Sequence, residues 1–504
     1  MSEDVFRKRI RLANADDKIK TPEEASGLIE KGMTVGCSGF TPSGYPKAVP
    51  QALARWCEEH GPLPITLWTG ASVGPELDGE LARTGCIRKR FPYQTDEVIR
   101  EKINEGEILF ADLHLSHNAQ NLRYGFHGNV DVAIVEAVAI TEEGGIIPTT
   151  SVGNTPTFME LARKVIVEIN VTQPADLEGI HDIYIPMDPP NRRPIPISSP
   201  SDRIGTPYIP CSQEKIAAIV YSDIPDSQRP LAEIDDTSKS IASHLLDFLD
   251  IEVKHGRLPR SLLPLQSGVG NVANAVLKEL SEWPADGLTV YTEVIQDAVF
   301  ELLDKGKVSF ASSTALTPSP EGAAKYYPRL KEFADRVILR PQEISNHPEI
   351  IRRLGLIAMN TALEADIYGH VNSTIVKGGY IMNGLGGSGD FARNAWLTVF
   401  LCPSVSGGGK ISKIVPFCSH IDHTEHDVDV IVTEHGVADL RNLSPRERAE
   451  EIIKKCADPS YRELLDDYRK RAELGKGHEP HILSEAFSWH VNLAEKGSMR
   501  ITTN

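Results

Sequence analysis

Strand-like and helix-like patterns alternate along most of the chain. Short runs rich in β-branched and apolar residues, such as 33–37 and 65–68, are followed by segments with apolar positions three or four residues apart, such as 46–59. Runs of the first kind predict buried strands, and segments of the second kind predict amphipathic helices. Because strands that alternate with helices form parallel sheets covered by helices, the pattern predicts an α/β protein.

The alternation stops at one polar segment and then resumes. Residues 221–236 contain two prolines and few apolar side chains, so they predict a connection between domains. We therefore expect an N-terminal domain over residues 1–230 and a C-terminal domain over residues 231–504. Each is expected to contain a largely parallel sheet flanked by helices.

Composition and charge narrow the functional class. The chain has 504 residues, 40% of them hydrophobic, and a formal charge of -17, which argues against a nucleic acid or an anionic membrane as the main partner. Its seven cysteines are scattered without C-x-x-C spacing, so neither a disulfide framework nor a thiolate zinc site is expected. The N-terminal residues lack the apolar region of a secretory signal. These features predict a cytoplasmic protein.

One glutamate stands where α/β proteins place their chemistry. Residues 288–292 predict a strand, and apolar positions at helical spacing then continue to Gly306, so Glu293 falls at the predicted junction of strand and helix. Ligands usually bind at the carboxyl ends of parallel strands, and a helix start would favour the ionised carboxylate. Glu293 is therefore a candidate nucleophile or base. The alternative is a capping glutamate in the first helical turn.

Two other motifs have simpler explanations. Residues 384–389 match G-x-G-x-x-G, but no acidic residue lies about twenty positions further on, so a dinucleotide site is not favoured. The loop can still bring backbone amides close to a negatively charged ligand. His420, His423 and His426 lack the spacing of known zinc motifs, and Asp422 and Glu425 can pair with them. No metal site is expected.

Glycine-rich loops also follow two predicted strands of the first half. Residues 38–46 and 69–75 each come directly after such a strand. Loops at strand ends line a pocket in many α/β proteins, or they simply turn the chain. The sequence leaves both alternatives open.

Five motifs, in order along the chain, carry a resemblance to a known family. They are QSGVGNV at 266–272, TEVIQD at 292–297, EISNHPEIIRRLG at 343–355, NGLGGSGDF at 383–391 and VTEHGVADLR at 432–441. With these motifs the chain resembles the acetyl-CoA hydrolase/transferase family of class I CoA-transferases over nearly its whole length. The resemblance implies two similar α/β domains with the active site between them.

The resemblance also implies a role for each matching residue. Glu293 would be the nucleophile, Asn346 would hold the acyl oxygen or the substrate carboxylate, and Glu434 would shape that end of the pocket. Backbone amides of Val269 and Gly387 would stabilise the oxyanion. The implied coenzyme A contacts are Gly268, Val269, Gly270, Asn271, Val272, Asn383 and Gly387.

Two positions depart from the family pattern. Some relatives carry a lysine where this chain has Gly407, which leaves Lys410 as the nearest cation. Succinyl-CoA:acetate enzymes carry an arginine where this chain has Ser227, and Arg229 lies two residues further on. The resemblance therefore leaves phosphate binding and acid recognition open at these positions.

The implied activity is transfer of coenzyme A from succinyl-CoA to acetate or propionate. The mechanism would be ping-pong, through an acyl-glutamyl anhydride and a glutamyl-CoA thioester at Glu293. Coenzyme A would serve as substrate and covalent intermediate, with no tightly bound cofactor, and the assembly would be a homodimer. The alternatives are an acyl-CoA hydrolase and, from another class, a non-catalytic module that senses coenzyme A or a nucleotide.

Overall fold

The computed structural model of the protein describes residues 2–500. Its helices are α1 (Ser2–Arg9), α2 (Pro22–Ser26), α3 (Ala48–His60), α4 (Asp78–Arg83), α5 (Glu97–Asn104), α6 (Leu115–Arg123), α7 (Thr155–Leu161), α8 (Asp236–Lys254), α9 (Asn271–Glu279), α10 (Asp297–Asp304), α11 (Pro320–Tyr326), α12 (Leu330–Phe333), α13 (Gln342–Ser345), α14 (Pro348–Leu354), α15 (Ser388–Asn394), α16 (Pro445–Cys456), α17 (Pro459–Glu473) and α18 (Ser488–Lys496).

The strands lie between these helices. They are β1 (Thr34–Cys37), β2 (Ile65–Trp68), β3 (Ile87–Phe91), β4 (Leu109–Phe110), β5 (Val132–Ile140), β6 (Ile146–Pro148), β7 (Lys164–Asn170), β8 (Ile216–Ser222), β9 (Leu265–Ser267), β10 (Leu288–Tyr291), β11 (Val294–Ile295), β12 (Val308–Ser313), β13 (Ala315–Leu316), β14 (Val337–Leu339), β15 (Ile357–Thr361), β16 (Glu364–Asp366), β17 (Val371–Asn372), β18 (Ile375–Val376), β19 (Tyr380–Ile381), β20 (Leu397–Leu401), β21 (Val405–Ser406), β22 (Ile411–Ser412), β23 (Ile414–Val415), β24 (Val430–Thr433) and β25 (Gly436–Asp439). The strong alternation of strands and helices is the α/β class that the sequence predicts.

Contacts divide the chain into two compact units. The first contains residues 1–230, 289–303 and 309–354, and the second contains residues 231–288, 304–308 and 355–504. The two later segments of the first unit carry Glu293 and Asn346. The division into domains 1–230 and 231–504 stays a prediction.

A parallel sheet forms the centre of the first unit. Its strand order is β4-β3-β2-β1-β5-β7-β8, and β6 adds an antiparallel partner to β5. Every residue of β5 is buried, as expected for a strand with helices on both faces. The later segments contain β14, β12 and β10, which pair in that order and belong to a different sheet.

The second unit contains five paired strands and an apolar core. Strands β9, β15, β20 and β24 are parallel neighbours in that order, and β25 closes the edge as an antiparallel partner of β24. Helices α16, α17 and α18 contribute buried side chains to the core, among them Ile452, Tyr461 and Trp489. The sheet is therefore largely parallel, as the sequence predicts.

Capping contacts stabilise the starts of two helices. Thr21 accepts a hydrogen bond from the Glu24 amide while the Glu24 carboxylate accepts one from the Thr21 amide, and α2 begins between them. At the start of α16 the Glu447 carboxylate accepts hydrogen bonds from the Ser444 amide (2.8 Å) and from the Ser444 hydroxyl (2.6 Å). Such boxes stabilise a helix start because they satisfy amides that have no partner within the helix.

The sequence predicts no disulfide framework, and one pair of cysteines differs from that prediction. Cys57 and Cys86 are placed as a disulfide, whereas Cys37, Cys402 and Cys418 are buried free thiols. Both paired cysteines belong to the apolar core of the first unit. Burial in one core therefore brings together two sulfurs that are 29 residues apart in the chain.

Among residues 2–500, none of the helices is both long enough and apolar enough to cross a membrane.

Candidate functional site

Glu293 lies in a bend between two strands of the first unit. β10 ends at Tyr291, and after the bend Val294 and Ile295 form β11, which pairs in parallel with β13. The Glu293 carbonyl accepts hydrogen bonds from the amides of Thr314 (3.0 Å) and Ala315 (3.1 Å). The backbone is thus fixed on both sides of the carboxylate, and the side chain itself is partly buried.

The helix after this bend begins later than the sequence predicts. α10 starts at Asp297, and it ends at Asp304, two residues before Gly306, as expected. The prediction of a helix start at Glu293 is therefore wrong. Residues 294 and 295 are β-branched and apolar, and their pairing with β13 outweighs their helical spacing. A helix start consequently does not explain the charge state of Glu293.

Asn346 is the direct partner of the Glu293 carboxylate. Its Nδ2 donates a hydrogen bond of 2.7 Å to Glu293 Oε1. The Asn346 side chain is fully buried, and its Oδ1 has no hydrogen-bond partner. The structure thus brings together two residues that are 53 positions apart and that the sequence places in separate motifs.

The helix before Asn346 holds this amide in place. Asn346 follows α13, and its backbone amide donates to the Gln342 carbonyl. Gln342 Nε2 donates to the Leu115 carbonyl (3.1 Å), and Tyr291 Oη donates to the Ile344 carbonyl (2.7 Å). α13 is therefore anchored both to α6 and to the strand that leads to Glu293.

A buried ion pair adds a third anchor to α13. Arg123 Nη1 and Nη2 each donate a 2.7 Å hydrogen bond to one oxygen of Glu343, and both side chains are 5% exposed. Asp188 accepts further bonds from the same guanidinium at 3.1 Å. Planar two-point contacts of this kind fix orientation as well as distance. The sequence analysis missed Arg123, which no local motif marks.

Burial sets the charge state of Glu293. Removal from water raises the pKa of its carboxyl to about 7, although the hydrogen bond from Asn346 acts in the opposite direction. Burial disfavours the ionised form, whereas a donor to the carboxylate favours it. The carboxyl group therefore loses its proton at a distinctly higher pH than an exposed glutamate does.

Both glycine-rich loops of the first half lie beside this segment. Phe40 and Ala71, one from each loop, belong to a small buried apolar cluster with Leu115, Val294 and Ala315. The Gly70 amide donates to the Gly39 carbonyl at 3.1 Å, which joins the two loops. The two loops therefore contribute apolar packing next to Val294, the residue that follows Glu293.

In the second unit, the predicted loop at 268–270 joins β9 to α9. The Gly268 amide donates to the Met359 carbonyl (2.9 Å), and Gln266 Oε1 accepts from the Met359 amide (3.1 Å). Gly270 has a φ of 126°, which side chains rarely adopt, and it directly precedes Asn271 at the start of α9. Val269 lies between the two glycines, and its side chain is 54% exposed.

The other glycine motif has a similar place before α15. Gly386 has a φ of 62°, and Gly387 directly precedes the first helical residue, Ser388. Both predicted oxyanion residues, Val269 and Gly387, thus belong to loops that lead into helices. Asn383 lies shortly before the second loop and is partly buried.

Glu434 follows strand β24 and is held by Ser404. The Ser404 amide donates to Glu434 Oε2 at 2.8 Å, and its hydroxyl donates to Oε1 at 2.6 Å. His435 Nε2 lies 3.1 Å from the same hydroxyl. His244 Nε2 lies 3.2 Å from the Glu434 carbonyl oxygen. The carboxylate orientation is therefore fixed by neighbours that the sequence analysis did not identify.

Ser227 and Gly407 are the two positions that depart from the family pattern, and each has a basic residue nearby in the chain. Ser227 donates a 2.8 Å hydrogen bond to Glu76, whereas Arg229 is exposed. Gly407 has a φ of 59° in the turn between β21 and β22, and Lys410 is exposed at the end of that turn. Both cations are thus accessible to a ligand.

The three histidines of residues 420–426 have separate partners. His420 Nε2 lies 3.2 Å from Asp422, and His426 Nδ1 lies 3.0 Å from Glu425. His423 is buried, with its Nε2 3.2 Å from Ser388 Oγ. His420 and His426 thus pair with the two predicted carboxylates, whereas His423 has a hydroxyl as its neighbour instead.

Family models match most of the chain. The model of the acetyl-CoA hydrolase/transferase N-terminal domain matches residues 6–221, and that of the C-terminal domain matches residues 322–469.

Curated relatives match over almost the full length. A succinyl-CoA:acetate CoA-transferase of Clostridium kluyveri is 53% identical over 500 residues, which cover 98% of this chain and 93% of the relative. An acetyl-CoA hydrolase of Schizosaccharomyces pombe is 49% identical and covers 98% of each chain. A propanoyl-CoA:succinate CoA transferase of Escherichia coli is 47% identical, with 95% of this chain and 98% of the relative covered.

Solved structures share the fold at lower identity. RipA from Yersinia pestis superposes with a TM-score of 0.72 and 20% identity, over 94% of this chain and 100% of the other. A 4-hydroxybutyrate CoA-transferase from Porphyromonas gingivalis superposes with a TM-score of 0.62 and 21% identity, with the same coverage.

Proposed function

The chain belongs to the acetyl-CoA hydrolase/transferase family, and we propose that it is an acyl-CoA:carboxylate CoA-transferase with Glu293 as its nucleophile. The proposed donor is succinyl-CoA, and the proposed acceptor is acetate or propionate. The succinyl-CoA:acetate and propanoyl-CoA:succinate relatives support this pair of substrates. The observation that carries the mechanism is the hydrogen bond from Asn346 to a partly buried Glu293 carboxylate.

The first half-reaction loads the enzyme in two steps. A Glu293 carboxylate oxygen attacks the acyl-CoA carbonyl, the carbon–sulfur bond breaks, and coenzyme A leaves as a thiolate from an acyl-glutamyl anhydride. The thiolate then attacks the glutamyl carbonyl, which releases the first carboxylate and leaves a glutamyl-CoA thioester. No proton is gained or lost, so the pair of steps needs a positioned carboxylate rather than an acid or a base.

The second half-reaction reverses these steps with a new acid. The incoming carboxylate attacks the thioester carbonyl and expels the thiolate, and a second anhydride forms. The thiolate then attacks the acyl carbonyl of that anhydride, which yields the new acyl-CoA and restores free Glu293. Each step passes through a tetrahedral oxyanion, which we propose the amides of Val269 and Gly387 stabilise. One such donor is typically worth about 3 kcal/mol.

The proposed chemistry needs a reactive carboxylate and a site without water, and burial of Glu293 favours both. A carboxylate with a pKa near 7 is a better nucleophile than an ordinary glutamate, and it still ionises at neutral pH. Apolar neighbours such as Phe40 and Leu115 favour exclusion of water from the adjacent segment. Water must be excluded because it would hydrolyse the anhydride or the thioester.

The remaining predicted residues have supporting roles in the proposal. Asn346 positions the carboxylate and the acyl oxygen, and Glu434 shapes the pocket. The proposed coenzyme A contacts are Gly268, Val269, Gly270, Asn271, Val272, Asn383 and Gly387. Coenzyme A is substrate and covalent intermediate, no tightly bound cofactor is proposed, and a cytoplasmic homodimer stays a prediction.

Substitution of the nucleophile tests the mechanism. Glu293→Gln should abolish formation of acetyl-CoA from succinyl-CoA and acetate, because a neutral amide cannot form the anhydride. Glu301→Gln is the matched control, since Glu301 is an exposed glutamate of α10. Mass spectrometry after treatment with acyl-CoA should find coenzyme A on the peptide that contains Glu293, and only in the wild type and the control. Full transfer by Glu293→Gln would exclude the mechanism.

An acyl-CoA hydrolase is the second candidate. The 49% identical acetyl-CoA hydrolase favours it. A transferase moves coenzyme A from succinyl-CoA to the acceptor acid and releases no free thiol overall, whereas a hydrolase releases free coenzyme A without an acceptor. Rates with acetate, propionate or no acid therefore separate the two activities. Binding of acyl-CoA with no product under any of these conditions would instead indicate a sensing module.

A further inference from the structure

We infer that His370, Glu425 and Glu479 bind a divalent transition-metal ion of the zinc class, at a site apart from the chemistry of Glu293. One donor atom of each residue lies within 4.8 Å of the other two. His370 Nε2 is 2.9 Å from Glu425 Oε2. One imidazole and two carboxylates match the ligands that zinc accepts, and a water molecule completes four-coordination in such sites.

A second carboxylate fixes the histidine in the orientation that a metal needs. Asp366 lies 3.0 Å from His370 Nδ1, and its Oδ1 also accepts the backbone amides of Tyr368, Gly369 and His370. The Nδ1–H is thus engaged by Asp366, which leaves Nε2 as the nitrogen that faces the two glutamates. A carboxylate on the far nitrogen is the usual support of a metal-binding histidine.

Glu479 supplies an independent observation that points to a ligand. Its Oε1 atom is buried and has no hydrogen-bond partner. A buried carboxylate oxygen without a partner is costly, and the native explanation is often an ion or a water molecule. The third ligand of the cluster is therefore the one that the protein alone leaves unsatisfied.

The balance of charge also favours a cation at this place. Asp366, Glu425 and Glu479 supply three carboxylates, while the adjacent guanidinium of Arg448 donates to the carbonyl oxygens of Glu425 (2.6 Å) and Val428 (3.4 Å). His426 pairs with Glu425 Oε1 at 3.0 Å, but its side chain is 79% exposed. A bound divalent ion would offset the surplus of negative charge.

The segment that carries Glu479 is placed by contacts that need no metal. Tyr368 Oη donates to the carbonyl of Pro480, and the ring of His481 lies 5.0 Å from the ring of Tyr368, edge to face. Zinc–ligand distances of about 2.0–2.2 Å put donor atoms about 3.5 Å apart, so small side-chain rotations suffice. The three donor atoms are thus close to the positions that zinc requires even without the ion.

Metal content of the full-length protein tests the inference. Protein stripped with a chelator, exposed to excess Zn²⁺ and desalted should retain about one zinc per chain by mass spectrometry of the metal. Glu479→Gln and Glu425→Gln should each retain none, whereas Glu485→Gln, in the same C-terminal segment, should retain the wild-type amount. Circular dichroism of each variant confirms that the fold persists.

Two measurements make the result decisive. Asp366→Asn should keep the three ligands but bind Zn²⁺ about 10- to 100-fold more weakly in competition with a chromophoric chelator, as loss of a supporting carboxylate does. Zn²⁺ should also raise the melting temperature of the wild type and leave that of Glu479→Gln unchanged. Wild-type protein that retains no zinc, or equal retention by Glu479→Gln, would overturn the inference. Neither outcome depends on the activity proposed for Glu293.

Discussion

Asn346 Nδ2 lies 2.7 Å from Glu293 Oε1 and donates the hydrogen bond that favours the ionised carboxylate. Asn346→Ala should raise the pKa of Glu293 further and lower kcat/KM at pH 7. Hydrogen bonds to charged groups are worth about 1.5–3 kcal/mol, so the expected loss is roughly 10- to 100-fold. Part of the loss should be recovered at higher pH, where the carboxylate ionises without the amide.

Asn346→Asp tests the hydrogen bond between Asn346 and Glu293 in a second way. Aspartate keeps the size of the side chain, but it replaces a donor with a second carboxylate next to Glu293. Like charges disfavour ionisation, so the pH profile should move further upward than that of Asn346→Ala. Profiles that coincide with the wild type would show that the amide does not influence the nucleophile.

The pH dependence of the wild type reports the environment of Glu293 directly. Attack needs the carboxylate, and the pKa of that group is raised to about 7 from an ordinary 4.5. The rate of acyl-CoA consumption should therefore fall as pH decreases through about 7, measured as kcat/KM over the range from pH 5 to pH 9. A profile that stays flat down to pH 5 would contradict the raised pKa.

Arg123 should act as a positioning residue through Glu343. Arg123→Met leaves the buried Glu343 carboxylate with only the more distant Arg192, at 3.8 Å, and complete loss of such a partner costs about 3–5 kcal/mol in other proteins. The urea midpoint of unfolding should fall, and kcat should fall more than KM rises, because α13 carries Asn346. Arg123→Lys keeps the charge but not the two-point geometry, so it should recover stability more than kcat.

The sequence predicted the α/β class and the identity of Glu293 as a candidate, because both depend on local pattern. It did not predict the anchors of α13. Arg123 and Glu343 are 220 residues apart, and their contact arises only when α6 packs on α13. The start of α10 was also wrong, since pairing of β11 with β13 is set by a partner strand rather than by local spacing.

Substitution of Gly70 tests whether stability depends on the contact between the loops at 38–46 and 69–75. A Cβ atom at this position would lie 2.5 Å from the Gly39 carbonyl oxygen and 3.1 Å from Gln342 Oε1. Gly70→Ala should therefore displace one loop and cost about 1–3 kcal/mol, as overpacking usually does. Gly379→Ala is the control, because nothing lies within 4 Å of its Cβ position. Equal melting temperatures for the two variants would show that the loop contact is dispensable.

The raised pKa of Glu293 also predicts a cost in stability. The pKa of the Glu293 carboxyl is about 7 in the folded protein, against about 4.5 for an exposed glutamate. The contribution of the Glu293 carboxyl to the free energy of unfolding is therefore fully present below pH 4.5. That contribution is lost as pH rises through about 7. Glu293→Gln cannot ionise, so it should be more stable than the wild type at pH 8 by about 2 kcal/mol, allowing for partial exposure. The difference should shrink to less than about 1 kcal/mol at pH 5, as urea unfolding at the two pH values will show. An equal difference at both values would mean that the gain comes from packing rather than from charge.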